Sequence, residues 1–175
     1  FRSAMMISAH NIKHLSKIPS LSAECLMLNL EDGVSTEQKP YALALCAIAL
    51  ASNPKINKKL IVRVNPLGEG GEEEISFLNT FMPDGIRVPK IRSAEDVHRV
   101  LELVDEGIEI HLSIETKEAW LALSHLAIDP RIKAFYLGVL DLFADLGLSQ
   151  SLLLPDNPAV QYMLSHFLMT CRACG

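Results

Sequence analysis

The sequence is poor in aromatic residues and has no long apolar run. Phe, Tyr and Trp make up 6% of the 175 residues, with Trp120 the one tryptophan. No stretch approaches the roughly 20 unbroken apolar residues of a membrane-crossing helix. The apolar run Tyr41–Ala51 corresponds to only about three helical turns. A basic stripe is also missing. Sixteen Lys and Arg are scattered against 21 Asp and Glu, for a net charge of -5. That balance excludes nucleic acid and an anionic membrane surface as expected partners. The N-terminal Phe1-Arg2-Ser3 carries no signal-peptide pattern. The four cysteines, Cys25, Cys46, Cys171 and Cys174, match no secreted disulfide framework, so a reducing cytoplasm is expected. Cys171-Arg-Ala-Cys174 lacks the second ligand pair of a zinc site and is read as small residues at a helix end.

Three signatures of chemistry are missing as well. No G-x-G-x-x-G follows the first strand candidate, which weakens a dinucleotide-binding reading. No G-x-S-x-G elbow supports a serine hydrolase. His10 and His14 stand four residues apart but have no carboxylate near them in sequence, and His111 stands alone, which argues against zinc. Gly68-Glu-Gly70-Gly71 is glycine-rich but acidic, so it is read as a loop and not as a phosphate cradle.

What the chain does have is a strand–helix rhythm. The strand candidates are Ala4–Ser8, Cys25–Leu30, Leu60–Val64, Gly85–Val88, Glu109–Ile114 and Ala134–Leu137. Most are apolar on both sides of the pleat, as parallel strands covered by helices are. Between them lie helix signals. Ser35-Thr-Glu-Gln38 reads as a capping box with Pro40 soon after. Ser93-Ala-Glu-Asp96 opens a helix with Val97, Val100, Leu101 and Val104 on one face, and Gly107 is placed as its left-handed cap. Thr116 caps a helix carrying Trp120 and Leu123. Asn157-Pro158 starts a last one with Val160, Met163, Leu164, Phe167 and Cys171 on the buried stripe. The alternation predicts an α/β fold with a parallel sheet, either doubly wound or a closed eight-stranded barrel.

Charges fall at the C-terminal ends of the strands, where barrel enzymes assemble their sites. Glu31 and Asp32 follow the second strand, Arg63 lies inside the end of the third, and Lys90 follows the fourth. Glu115 ends the fifth and Asp141 follows the sixth. Arg63 stands among Ile61, Val62 and Val64, where a charge needs a partner or a ligand. Glu115 and Asp141 are one βα repeat apart. Neighbouring parallel strands lie roughly 4.8 Å apart, so both carboxylates reach one ion. Two carboxylates with other positions left to water and substrate is a usual Mg²⁺ arrangement.

Several stretches in order then carry a resemblance. They are Arg2-Ser3, Asn29-Leu-Glu-Asp-Gly-Val34, Ile61-Val-Arg-Val-Asn65, Gly85-Ile-Arg-Val-Pro-Lys90, Ile114-Glu-Thr116 and Gly138-Val-Leu-Asp-Leu-Phe-Ala-Asp-Leu-Gly147. Together the chain resembles the citrate lyase β-subunit and malyl-CoA lyase family of the HpcH/HpaI aldolase superfamily. The resemblance implies a TIM barrel, as a homotrimer, that cleaves a citryl or malyl-type thioester on an acyl carrier or CoA to an oxo acid and an acetyl thioester. It implies Mg²⁺ held by Glu115 and Asp141. Arg63 would hold a substrate carboxylate, Arg2 and Lys90 would line the pocket or thioester arm, and Glu31 and Asp32 would support the site. A thioesterase or an oxo-acid aldolase on the same site, or a catalytically silent assembly homologue, are the alternatives. Asn29 and Leu140 stand where the family usually has Asp and Glu. The family's acid/base Asp lies past residue 175. Residues 1–175 are expected to form one barrel domain truncated before strand 7, with about six βα units of a longer natural protein.

Overall fold

The computed structural model describes residues 1–53 and 56–174; Pro54, Lys55 and Gly175, which fall within the expected single domain, lie outside them. Six strands form one parallel sheet: β1 (Ala4–Ser8), β2 (Cys25–Asn29), β3 (Lys59–Arg63), β4 (Gly85–Val88), β5 (Glu109–Ile114) and β6 (Ile132–Leu137). Their spatial order is their sequence order, β1 through β6. A doubly wound sheet reverses direction at a switch point. Uninterrupted consecutive pairing is instead the winding of a β/α barrel, and it decides between the two expected architectures.

Helices α1 (Ile12–Leu15), α2 (Lys39–Ser52), α3 (Gly71–Asn79), α4 (Ala94–Leu103), α5 (Lys117–Ala122), α6 (Val139–Asp145) and α7 (Pro158–Ala173) occupy the connections. No helix of the described residues is long and apolar enough to cross a membrane. Successive strand residues point to opposite faces, and the two faces differ sharply here. One carries Leu26, Leu28, Leu60, Val62, Ile86, Val88, Ile110, Leu112 and Ile114, which join Ala42, Cys46, Ile75, Leu78, Val97, Val100 and Ala119 of the helices in the main core. Burying each large aliphatic chain contributes roughly 1.5–3 kcal/mol. The other face holds a small apolar patch of Cys25, Met27 and Ile61 against Tyr136. Arg63, Arg87, His111 and Ser113 are buried on it too.

Local signals explain most helix starts. Ser93 Oγ accepts from the Asp96 N–H, and the Asp96 carboxylate accepts from the N–H groups of Ser93 and Arg92, so the expected helix start at Ser93 is closed by a capping box. Thr116 Oγ1 accepts from Ala119 N–H and donates to Ile91 O, tying the end of β5 to the loop after β4. Asn157 caps α7 through the Ala159 N–H.

Two cap assignments need correction. Ser35 makes no side-chain cap bond; the chain passes through a 3-10 turn, Thr36–Gln38, and α2 begins at Lys39 with Pro40 in its first turn. Gly107 does adopt positive φ (91°), but α4 has already ended at an extended Val104, so Gly107 serves the turn into β5. On α7, Val160 and Met163 are buried while Leu164 is exposed, so the buried stripe is narrower than expected. Glycine freedom matters at the loop after β3. Gly68 and Gly70 take positive φ, and a Cβ on Gly71 would stand 2.3 Å from the Asn65 carbonyl oxygen.

Candidate functional site

Six charged side chains meet above the C-terminal ends of the strands: five line an open basin of about 820 Å³, and the sixth, Arg63, is buried beside it. Glu115, directly after β5, is 2% exposed. Its Oε1 accepts from the Lys90 backbone N–H at 2.9 Å. Lys90 sits at φ 54°, a left-handed conformation unusual for a non-glycine residue, and turns that N–H toward the carboxylate. A Cβ on Gly138 would lie 2.5 Å from Glu115 Oε2 and 2.6 Å from Glu115 Cβ. Gly138, at the end of β6, therefore leaves the lane through which Glu115 enters the basin.

Asp141 lies in the first turn of α6. The Lys90 ammonium stands between the two carboxylates, 3.0 Å from Asp141 Oδ2 and 4.0 Å from Glu115 Oε1. Burial would lower the Lys90 pKa, but the Asp141 hydrogen bond and the charges of Glu115 and Asp141 outweigh it and raise the group above its ordinary value. Arg63, buried at the end of β3, contacts the Glu31 carboxylate and lies 3.4 Å from Asp32 Oδ2 and 4.0 Å from Glu115 Oε2. Its Nε has no hydrogen-bond partner among the described residues. Burial pushes the Glu31 carboxyl up to about 7, against the pull of Arg63. Asn29 donates to the Asp32 carbonyl, while its buried Oδ1 has no partner among the described residues.

The structure thus brings Glu31, Asp32, Arg63, Lys90, Glu115 and Asp141 together. Arg2 is not with them: it precedes β1 at the opposite end of the strands, 92% exposed, and pairs with Glu24 at 2.7 Å. The five residues of β1 alone separate the two ends by about 16 Å. The pocket-lining assignment of Arg2 is therefore withdrawn. His111 lies on the polar face of the sheet, with Nδ1 3.0 Å from the Tyr136 hydroxyl.

Sequence reasoning missed three groups. Glu74, on α3, is buried and accepts from both the backbone N–H and the side-chain amide of Asn65; Lys39 donates to the other end of that amide. Nothing in the run Glu72-Glu73-Glu74 singles out its last member. Gly138 was legible only as part of a motif. Arg87 stands inside an apolar strand as Arg63 does, and that signal was available.

The geometry suits a hard cation. Two carboxylates already share one ammonium, Lys90 is part-exposed on a flexible stem, and all donors are oxygen. No group of three or more His, Cys, Asp and Glu is set to hold a metal among the described residues. The protein would therefore supply two ligands and leave the rest to water or substrate.

Fold and site together define a β/α-barrel-type scaffold with a carboxylate cluster at the C-terminal ends of its strands. The sequence profile of the HpcH/HpaI aldolase/citrate lyase family matches residues 2–175, and the chain belongs to that family of enzymes. It is 31% identical over 176 residues to a (3S)-malyl-CoA thioesterase of Cereibacter sphaeroides, covering all of this chain and 60% of that protein. It is 30% identical over 155 residues to the L-malyl-CoA/beta-methylmalyl-CoA lyase of Rhodobacter capsulatus, covering 76% of this chain and 46% of that one. The chain thus spans about 60% or less of the length of these two relatives. Its fold matches the citrate lyase β subunit complexed with oxaloacetate and magnesium from M. tuberculosis, with a TM-score of 0.80 over 98% of this chain and 74% of that one. At 23% identity that likeness speaks for the fold.

Proposed function

We propose that this chain carries the site of a magnesium-dependent carbon–carbon lyase acting on a citryl- or malyl-type thioester borne by an acyl carrier or CoA. The observation that carries the reading is the Lys90 ammonium held between Glu115 and Asp141, with Arg63 beside them. Two carboxylates gathered about one positive charge form a cation site, and the guanidinium next to it is suited to a bidentate carboxylate.

In the reaction, the substrate hydroxyl loses its proton and becomes the carbonyl of the oxo acid. The carbon–carbon bond breaks, and its electron pair leaves as the enolate of the acetyl thioester, which then takes up a proton. Mg²⁺ on Glu115 and Asp141 would supply Lewis acidity toward the hydroxyl and carboxylate oxygens of the acid. Arg63 would hold that carboxylate, and Glu31 and Asp32 fix the guanidinium in place. A cation on these carboxylates would displace the Lys90 ammonium, whose flexible stem would let it serve the thioester arm. Such pre-placed charge stabilises a developing anion where water is excluded.

The Cereibacter sphaeroides relatives favour a second reading on the same site: water attacks the thioester carbonyl and the thiol leaves. Following free thiol and oxo acid together in the full-length protein separates the two. Lysis yields oxo acid with the thioester intact; hydrolysis yields thiol without oxo acid. The lyase reading also requires that Glu115→Gln and Asp141→Asn each abolish Mg²⁺-dependent turnover while the protein stays folded. Near-normal turnover in either variant would remove the metal assignment, and a protein without either activity would leave the binding or assembly role.

A further inference from the structure

Below the basin, a second arginine has no carboxylate of its own. Arg87 is on β4, paired in register with Arg63 on β3. Only 9% of it is exposed, and no Asp or Glu oxygen lies within ion-pair distance of it among the described residues. Neutral groups hold it instead. Its Nε donates to Ser113 Oγ at 2.9 Å, its Nη1 reaches Met27 Sδ at 3.3 Å, and its guanidinium lies 4.1 Å from the centre of the Tyr136 ring. Tyr136 is steadied in turn by His111, and His111 Nε2 lies 3.3 Å from Glu109 Oε2. Burial pulls Arg87 below its ordinary pKa, and the Arg63 charge adds to that; Glu115 and Glu31 act in the other direction. Arginine nonetheless stays charged in proteins.

A buried cation without a counterion is costly, and two in register on neighbouring strands are more so. The arrangement is repaid only when negative charge arrives above it. Acidic groups outnumber basic ones in the lining of the basin, so it draws a cation unaided, whereas a bound acid needs fixed positive charge close by, which Arg63 and Arg87 supply.

We propose that Arg87 is a positioning and charge-selecting residue: a fixed cation beside Arg63 and beneath Glu115 that favours doubly charged acids and disfavours metal bound without one. It acts in two ways. Its charge repels Arg63, so the Arg63 guanidinium is carried up toward the carboxylates at the strand ends. It also adds to the field at the floor of the basin, where it strengthens binding of anions and weakens binding of cations. The inference rests on the acid-binding reading of the site but assigns Arg87 a part that reading does not contain.

The test uses the full-length protein, as wild type, Arg87→Met and Arg87→Lys, each checked for fold by circular dichroism. Calorimetry measures Mg²⁺ alone, then malate and lactate at saturating Mg²⁺. At an effective dielectric constant near 20, one charge about two strand spacings away changes a binding constant by about tenfold. Arg87→Met should therefore bind Mg²⁺ several-fold tighter and malate about tenfold more weakly, with a smaller loss for lactate. Arg87→Lys should restore most of both. A merely structural arginine would weaken both ligands together, and that result would overturn the proposal, as would no change in either. If Arg87→Met does not fold, Arg87→Lys and Arg87→Gln carry the comparison, with Lys expected near wild type and Gln near the Met pattern. Wild type that binds malate but no Mg²⁺ would sink the metal reading and leave the malate loss to judge Arg87. Wild type that binds Mg²⁺ and malate, with unchanged variants, would sink Arg87 alone, and wild type that binds neither would sink both.

Discussion

Replacing Gly138 by alanine adds one methyl group where the structure has none to spare. The new Cβ would sit 2.5 Å from Glu115 Oε2 and 2.6 Å from Glu115 Cβ, against about 3.5–4.0 Å for relaxed carbon contacts. Gly138 has φ -85°, which any residue adopts, so the strain comes from Glu115 and not from the backbone. Overpacking of this kind costs typically about 1–3 kcal/mol. For a chain of this size that lowers Tm by about 3 °C per kcal/mol. Because the easiest relief is to push the carboxylate aside, Mg²⁺ binding should weaken along with stability.

A mutant cycle separates the two contacts. Gly138→Ala in a Glu115→Ala background still meets the Cβ of residue 115 and should recover only part of the stability. In a Glu115→Gly background both contacts vanish and the cost should fall to a few tenths of a kcal/mol. Urea unfolding with parallel calorimetry provides the readout. A Gly138→Ala protein with wild-type stability and wild-type Mg²⁺ affinity would refute the reasoning, and so would an equal cost in all three backgrounds.

Other outcomes follow from neighbouring groups. Lys90→Met removes the ammonium that competes for Glu115 and Asp141; calorimetry should show tighter Mg²⁺ binding while KM for the thioester rises. Glu74→Ala leaves the Asn65 backbone N–H and amide without their acceptor and should cost about 2–4 kcal/mol in urea unfolding. Burial holds His111 below its ordinary pKa, with Lys59 and Arg87 adding to the shift and Glu109 opposing it. The unfolded chain therefore takes up that proton first, and its contribution to stability is lost as pH falls below about 6.5. Glu31, raised to about 7, works in the opposite direction between its unfolded value and 7, so the sign must be read from a difference. Wild type minus His111→Gln, followed by urea unfolding from pH 7.5 to 5, should decline toward acid.

Much of this structure was legible in the sequence. All six strands fall within two residues of their expected bounds, because strands buried on both faces read as short apolar blocks between turn residues. Charges at strand ends pointed to the basin, and five of the six groups there needed only the rule that barrel sites lie at those ends; Arg63 stood out as a charge within an apolar strand. The same reasoning applied to Arg2 would have placed it at the far end, since it precedes its strand. Arg87 was overlooked because attention went to strand tips and not to the alternation within β4. Ser35 and Gly107 failed for a different reason. Caps depend on which residue begins or ends a helix, and sequence pattern resolves that only to a few residues. Glu74 was out of reach, since nothing local tells a buried glutamate from its exposed neighbours on one acidic run.

The consecutive order of the strands has a bearing on how the molecule is made. Ser8 pairs with Asn29, Asn29 with Arg63, Arg63 with Arg87 and Arg87 with His111, so every neighbour is the next stretch to leave the ribosome. Local closure of this kind favours growth by accretion, each unit docking on the one already formed. The basin matures in the same sequence: Glu31 and Asp32 arrive first, then the guanidinium and the lysine, then Glu115, and last Asp141. Tight capture of a divalent ion would therefore report that β6 and α6 have docked, giving a reporter for the last step of assembly among the described strands.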